Sequence, residues 1–408
     1  MPLRHAYYHD KQHNAVKNIK SVLILGGGIA GAEAAIAFRK KGFSVELVSD
    51  RDHLFIFPIS IWIPVGTLKY SDASIPLKKL ARRHGFTLTI DRVTAIDAES
   101  RRVWLEKGGE RSGTDAVVVA LGAAKIQYPG MEHARSICAS PQNSLYLKER
   151  VDAIIAKGSG KIAFGFGGNP KDKSAVRGGP AFELFFNLHH KLKKLGIRDR
   201  YEMTFFAPMP QPGARMGRKA LEAMDGMFRD NGFKTRYGKK ITGFDEGGVM
   251  FEDGSRLESD FTMFISALDG HRVIKESNLP LNPSGFIMID DYCRIDGIEG
   301  WYAIGDSAAL EGPDWKAKQG HLAETMAVNA AHNASIVIQG REGALKGYRE
   351  HLNILCVMDI GNGAGFVYAD GIKEIFFPMP LFGHWLKHGW AHYYRFSKLG
   401  RLLRTSGV

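Results

Sequence analysis

Short continuous apolar runs alternate along the chain with longer stretches whose apolar positions recur at helical spacing, the pattern of buried parallel strands connected by helices. Ser21–Leu25 leads through a glycine cluster into the helical "AEAAIAFRKKG" and then a second strand, "SVELVSD". The same order returns in "KIAFGF", "PAFELFFNLHHKL" and "YEMTFFAP", and again in "DAVVVALGA", "GWYAIGD" and a helix at about 318–339. This predicts an α/β protein with two Rossmann-like three-layer domains and a C-terminal amphipathic helical segment. The expected division is an N-terminal extension at 1–19, a first nucleotide-binding domain at 20–135 and 286–370, a second at 136–285, and the tail at 371–408. The longest apolar stretch, residues 21–38, is broken by four glycines and Glu33, so it reads as strand plus helix and not as a membrane span. The first twenty residues are polar and carry no secretory pattern.

Composition narrows the chemistry. With 44% hydrophobic and 24% charged residues in 408, the chain is globular and long enough for two or three domains. Three cysteines, at 138, 293 and 356, are too few and too far apart for a disulfide framework or a zinc cluster. A cysteine that matters here does so as a thiol or as one redox pair. The net charge of +12 suggests an anionic partner, either nucleic acid or a membrane surface.

The glycine cluster, Gly26-Gly27-Gly28-Ile29-Ala30-Gly31, is G-x-G-x-x-G between strand and helix. Gly26 makes the turn, Gly28 admits a pyrophosphate to the backbone at Ile29 and Ala30, and Gly31 lets the helix lie against the strand. Asp50, ending the next strand, stands where a carboxylate accepts from ribose hydroxyls.

From Asp115–Ala123 and Gly300–Asp306 onward the chain resembles the two-dinucleotide-binding-domain flavoproteins, which implies FAD at this first site. The resemblance assigns Ala120, Leu121 and Gly122 to the crossover turn, Gly305 and Asp306 to the ribityl chain, and Lys318, Gln319 and Gly320 to the pyrimidine edge. It adds Arg51, Pro58 and Val93 as cofactor contacts. The second fingerprint fails: Gly165, Gly167 and Gly168 are followed by Pro170, and the helix restarts only near Pro180, after a loop too long for a dinucleotide turn. The strand after it ends in Ala207-Pro208, with no acid for an NAD ribose. Lys171, Lys173 and Arg177 could still hold an anion, but they read first as a charged surface loop.

The segments "HLFIFPISIWIPVG" and "CVMDIGNGAGF", with an aromatic and basic end, resemble sulfide:quinone oxidoreductases and the related flavocytochrome c sulfide dehydrogenases. That resemblance implies oxidation of sulfide to zero-valent sulfur or polysulfide and reduction of a quinone, with Cys356 against the flavin and a second cysteine beside it. It matches Cys138 to a family cysteine in "RSICAS". The family's further cysteine, after the second-domain strand, is missing here, which leaves Cys138 as the partner. Cys293 reads as structural. Sulfide attack on such a pair calls for partly exposed thiols of low pKa. Phe366, Phe376, Phe377 and Phe382 are the expected quinone contacts. Rival readings are a type II NADH:quinone oxidoreductase, a sulfide dehydrogenase with a cytochrome partner, and a redox-silent FAD-binding module.

In the tail, apolar residues at 382, 385/386, 390, 393 and 396 form one helical stripe, with Lys387, Arg395, Lys398 and Arg401 opposite. Six Lys/Arg against the single acid Glu374 from residue 371 on predict a helix lying on an anionic membrane, the basic face outward. A peripheral protein on the cytoplasmic face is expected; self-association is left open, and nucleic acid is not expected. His384, His388 and His392 have metal-ligand spacing but no carboxylate or cysteine among them, so no metal is expected.

Overall fold

The computed structural model describes residues 19–405 and 407. The expected N-terminal extension therefore lies outside the described residues, apart from Ile19. Strand β1 (Ser21–Leu25) enters α1 (Ile29–Lys40) and returns as β2 (Ser44–Ser49); α2 (Leu77–His84), β3 (Thr87–Ile90) and β4 (Ala116–Val119) follow. After α3 (Asn143–Lys157) come β5 (Gly160–Phe166), α4 (Gly179–Lys194), β6 (Tyr201–Ala207), α5 (Arg218–Asp230), β7 (Lys234–Tyr237) and β8 (Phe261–Ile265). The chain then goes back to the first domain through β9 (Trp301–Ala303) and α6 (Gly320–Val337). It ends in β10 (Ile354–Asp359), β11 (Gly363–Ala369), β12 (Glu374–Pro380) and α7 (Phe382–Lys398).

Two parallel sheets result. The first has the order β9-β4-β1-β2-β3 and the second β7-β6-β5-β8. Each is a Rossmann-like sheet whose central strands are buried and apolar on both faces, while the outer strands β3 and β7 are largely exposed. The third sheet, β10-β11-β12, is antiparallel, and β12 pairs with β11 along its whole length, so the sheet runs across position 371.

Close backbone approach sets the first domain. A Cβ on Gly31 would stand 1.8 Å from the Gly26 carbonyl oxygen, and one on Gly26, at φ +109°, would stand 2.3 Å from that of Ala120. Only glycine lets α1 sit so near the ends of β1 and β4.

The tail helix turns the start of its aromatic stripe outward, as an interface helix would, but buries two of the lysines expected opposite it. Gly383, Lys387, Ala391, Tyr394, Ser397 and Lys398 are its buried positions. Trp385 is 70% exposed and Phe382 66%. Lys387 pairs with Glu183, and Lys398 with Glu33 and Glu324, all buried. The basic face expected to meet solvent or headgroups is thus corrected for these two lysines: the protein supplies carboxylates that make their burial affordable. Arg395 does face outward, 3.6 Å from Asp72, and Arg401 is exposed.

Gly31→Ala is expected to lower the melting temperature by at least about 5 °C, since the neighbour it strikes is backbone and overpacking of this kind costs roughly 1–3 kcal/mol or more. Gly28→Ala meets nothing within 4 Å and should melt like the parent without cofactor. Circular dichroism melts of both flavin-free variants give the comparison, and equal melts would overturn the close-approach account.

Candidate active site

A cavity of about 2630 Å³ opens between the two Rossmann domains and reaches β10 and α7. That exceeds the roughly 300–1,000 Å³ of a small-ligand site and leaves room beside a dinucleotide. Gly26, Gly28, Ile29, Ala30, Asp50, Arg51, Pro58, Val93, Ala120, Leu121, Gly122, Asp306, Lys318, Gln319 and Gly320 all line it. Gly31 and Gly305 support it from behind the wall.

The lining suits FAD. Helix α1 begins at Gly28 with no side-chain cap, so its first amide donors point into open cavity, ready for a pyrophosphate. Helix α6 likewise begins uncapped at Gln319, whose Oε1 is buried without a partner. Asp50 is exposed and, among the described residues, pairs with Arg51 at 3.4 Å, which leaves its carboxylate able to accept from a ribose.

Around Asp306 the cavity is cationic. Arg177 donates to its Oδ2 at 2.7 Å. Burial pushes the Asp306 carboxyl up, but Arg177, Lys318 and Lys125 together hold it below the usual range. Lys318 is buried, donates to the Ala308 carbonyl and sits 4.1 Å over the Phe286 ring; burial brings its pKa to about 8 against the pull of Asp306 and Asp172. Burial brings Lys125 to about 8 as well. Arg177 corrects the surface-loop expectation: the loop between β5 and α4 folds inward and delivers it to Asp306. Lys171 and Lys173 do stay exposed, Lys173 paired with Asp314.

Cys138 and Cys356 line this same cavity, while Cys293 is fully buried elsewhere, at φ 65°. All three are free thiols. The expectation of low-pKa thiols is corrected. Burial pushes Cys138 up, opposed by Lys125 and Arg177. Cys356 is pushed up to about 12, first by burial and then by the Glu183 charge, with Lys387 opposing. Low dielectric around a thiol penalises the thiolate whatever its neighbours, and here it outweighs them.

Beside Cys356 stands a network that sequence reasoning missed. Glu183 accepts from Lys387 and, at 2.9 Å, from the Asp359 backbone amide. Fully buried Asp359 accepts from His384 Nδ1 at 2.7 Å, from the Gly361 amide at 2.7 Å and from Asn187 at 3.0 Å. Burial raises the Glu183 pKa despite Lys387, whereas the Glu183 charge raises that of Lys387 despite burial. An acid within the apolar "PAFELFF" was the available signal. His388 stacks on Trp62 at 3.7 Å and His392 on Phe396 at 6.3 Å; among the described residues no histidine, cysteine and carboxylate group could hold a metal.

Of the four expected quinone contacts only Phe366 lines the cavity; it stacks on Phe377 at 5.0 Å. Phe376 packs over Gly365, while Phe377 and Phe382 face outward. At the second nucleotide position, the loop after β5 occupies the turn and α4 starts at Gly179, next to a wall of Pro208, Met209 and Gln211.

The family model described as pyridine nucleotide-disulphide oxidoreductase matches residues 20–335. A sulfide-quinone reductase of Aquifex aeolicus is 26% identical over 92% of this chain and 90% of its own. A type II NADH:quinone oxidoreductase of Staphylococcus epidermidis is 23% identical over 86% and 91%. The X-ray structure of the sulfide:quinone oxidoreductase of Aquifex aeolicus superposes with a TM-score of 0.83 at 23% identity, covering 95% of this chain and 93% of that one, which is a likeness of fold.

The raised thiol makes a measurable difference. In reduced protein freed of flavin, alkylation of Cys356 by iodoacetamide should climb about tenfold per pH unit from 7 to 10 without levelling, because only the thiolate reacts. A plateau near pH 8.5, located by mass spectrometry of the labelled peptide, would show that burial does not govern this thiol.

Proposed function

We propose a specific reaction for this chain, which belongs to the pyridine nucleotide-disulphide oxidoreductase family and is an FAD-dependent oxidoreductase: oxidation of sulfide to zero-valent sulfur with reduction of a membrane quinone. The observation that carries the reading is that Cys138 and Cys356, from distant segments, open into one cavity together with the FAD seat. The names of the Aquifex relative point the same way. Bound FAD would supply two-electron acceptance from sulfur and reoxidation by quinone.

The chain's own residues divide the work. In the oxidised enzyme Cys138 and Cys356 form a disulfide; hydrosulfide attacks the Cys138 sulfur, a persulfide bond forms there, and the Cys356 sulfur leaves as a thiolate carrying the electron pair. The attacked sulfur needs no low thiol pKa, but a thiolate leaves more slowly the higher its pKa, so the burial of Cys356 slows this step and Lys387 is the charge that opposes that burial. Lys125 and Arg177 would draw the hydrosulfide anion toward Cys138, and Lys387 would attract the thiolate left on Cys356. Gly26, Gly28, Asp306, Lys318 and the uncapped helix ends would hold the cofactor.

Quinone would enter along α7, whose Leu386, Lys387 and Trp390 line the cavity while Phe382 and Trp385 face out. Leu381 beside them is also exposed, as are Ile372 and Leu403 elsewhere in the tail. Among the described residues no helix is long and apolar enough to cross a membrane, so the reading is a helix lying in the interface, presenting aromatics to it. The division into domains at 136, 286 and 371 belongs to the same proposal.

NADH as donor is the second reading, favoured by the Staphylococcus relative. Against it stand the long loop at the second seat and the lack of a carboxylate after β6.

Anaerobic mixing decides the donor: sulfide should bleach the flavin of the holoenzyme and NADH should not. Cys356→Ser should abolish bleaching by sulfide, Cys138→Ser should slow it at least about tenfold, and Cys293→Ser should leave it unchanged. Wild-type rates from Cys138→Ser would remove the two-cysteine mechanism.

A tail truncation would strip β12 from its sheet, so the membrane test uses surface changes. Phe382→Ser with Trp385→Ser should free the protein from anionic liposomes and cut quinone reduction strongly while sulfide still bleaches the flavin. Unchanged liposome binding would reject the interface helix.

A further inference from the structure

The two helices that open onto the cofactor cavity carry a matched pair of buried acids. Glu33 is the fifth residue of α1 and Glu324 the fifth of α6; their side chains are 1% and 4% exposed, and the helices pack on each other. Each carboxylate lies about one helical turn, roughly 5–6 Å, from the end whose amides face the cavity. A negative charge there opposes the attraction of that helix end for an anion.

The C-terminal segment supplies the opposite charge. Lys398, 1% exposed, bridges Glu33 and Glu324. Arg404, 7% exposed, reaches the Glu33 oxygen that Lys398 also contacts. The Gly407 amide donates to Glu324 at 3.2 Å, and Gly407 itself lines the cavity. The segment is anchored from the side by α2, where His84 donates to the Lys398 carbonyl at 2.8 Å and Arg83 to that of Gly400 at 3.1 Å. Among the described residues, two acids from the cofactor helices meet two cations from the C-terminal segment, and these side chains are nearly closed to water.

We propose that Lys398 and Arg404 are positioning residues for the cofactor: by neutralising Glu33 and Glu324 they keep α1 and α6 together and their cavity ends attractive to the FAD pyrophosphate and flavin, so that FAD affinity is set in part by docking of the C-terminal segment. The cations touch no cofactor atom and act through the acids. The inference concerns FAD binding alone and stands whichever donor reduces the enzyme.

Flavin-free protein is titrated with FAD and binding followed by quenching of flavin fluorescence, with no turnover involved. Arg404→Met should raise the Kd at least threefold, and Lys398→Met/Arg404→Met at least tenfold. The neutral quadruple variant Glu33→Gln/Glu324→Gln/Lys398→Met/Arg404→Met should return it to within about threefold of the parent. Circular dichroism identifies any variant that does not fold; if the double variant fails to fold, a folded quadruple variant with parental Kd supports the proposal. Parental affinity in a folded double variant, or a folded quadruple variant that binds FAD more than about tenfold worse than the parent, would overturn it, because repair by removing the acids is the mark of charge compensation.

Discussion

The buried pair between Lys387 of α7 and Glu183 of α4 is the contact through which three parts of the molecule share one wall. Removing a lysine and a glutamate from water costs several kcal/mol each, repaid only by close contact and further hydrogen bonds. Both conditions hold, since Glu183 also takes the amide of Asp359 and so fixes the end of β10, the strand that bears Cys356. With one partner deleted, about 3–5 kcal/mol would be lost, a large part of the roughly 5–15 kcal/mol that holds a domain folded. The tail helix is therefore built into the cavity and not appended to it.

The second Rossmann domain shows how one change has two effects. Lengthening the loop after β5 withdraws the tight glycine turn from that domain's own nucleotide position. The same loop carries Arg177 across to Asp306 of the first domain, where the cation helps keep a buried carboxylate ionised. The long loop that stands in place of a tight turn in one domain is the same loop that supplies a cation to the other.

How far the sequence could be read follows from how local each signal is. The Gly26, Gly28, Gly31 spacing, the strands on either side and the Gly305-Asp306 turn are decided within a few residues; Gly26, Gly28 and Asp306 line the cavity, with Gly31 and Gly305 behind it. Cys138 and Cys356 share the cavity, but periodicity could not pair segments so far apart; only resemblance brought them together. Arg177 was misread because a cation in a polar loop gives no local sign of a distant carboxylate. Lys387 and Lys398 were misread for another reason: helical spacing defines two faces but does not say which one is the core, and the usual assumption that charge faces water reverses when buried acids await it. Glu183, an acid inside an apolar helix, hinted at such a partner. Phe377 and Phe382, expected quinone contacts, lie exposed outside the cavity, and sequence does not distinguish one apolar destination from another.

The inward-facing lysines of α7 have a consequence in time. A chain leaves the ribosome from its N-terminus, and its domains fold largely in that order. Lys387 and Lys398 find their partners on α4, α1 and α6, all of which are complete before α7 emerges. Until those partners are in place the lysines can only stay in water, so the orientation that buries them and leaves Phe382 and Trp385 exposed is fixed once α1, α4 and α6 are assembled.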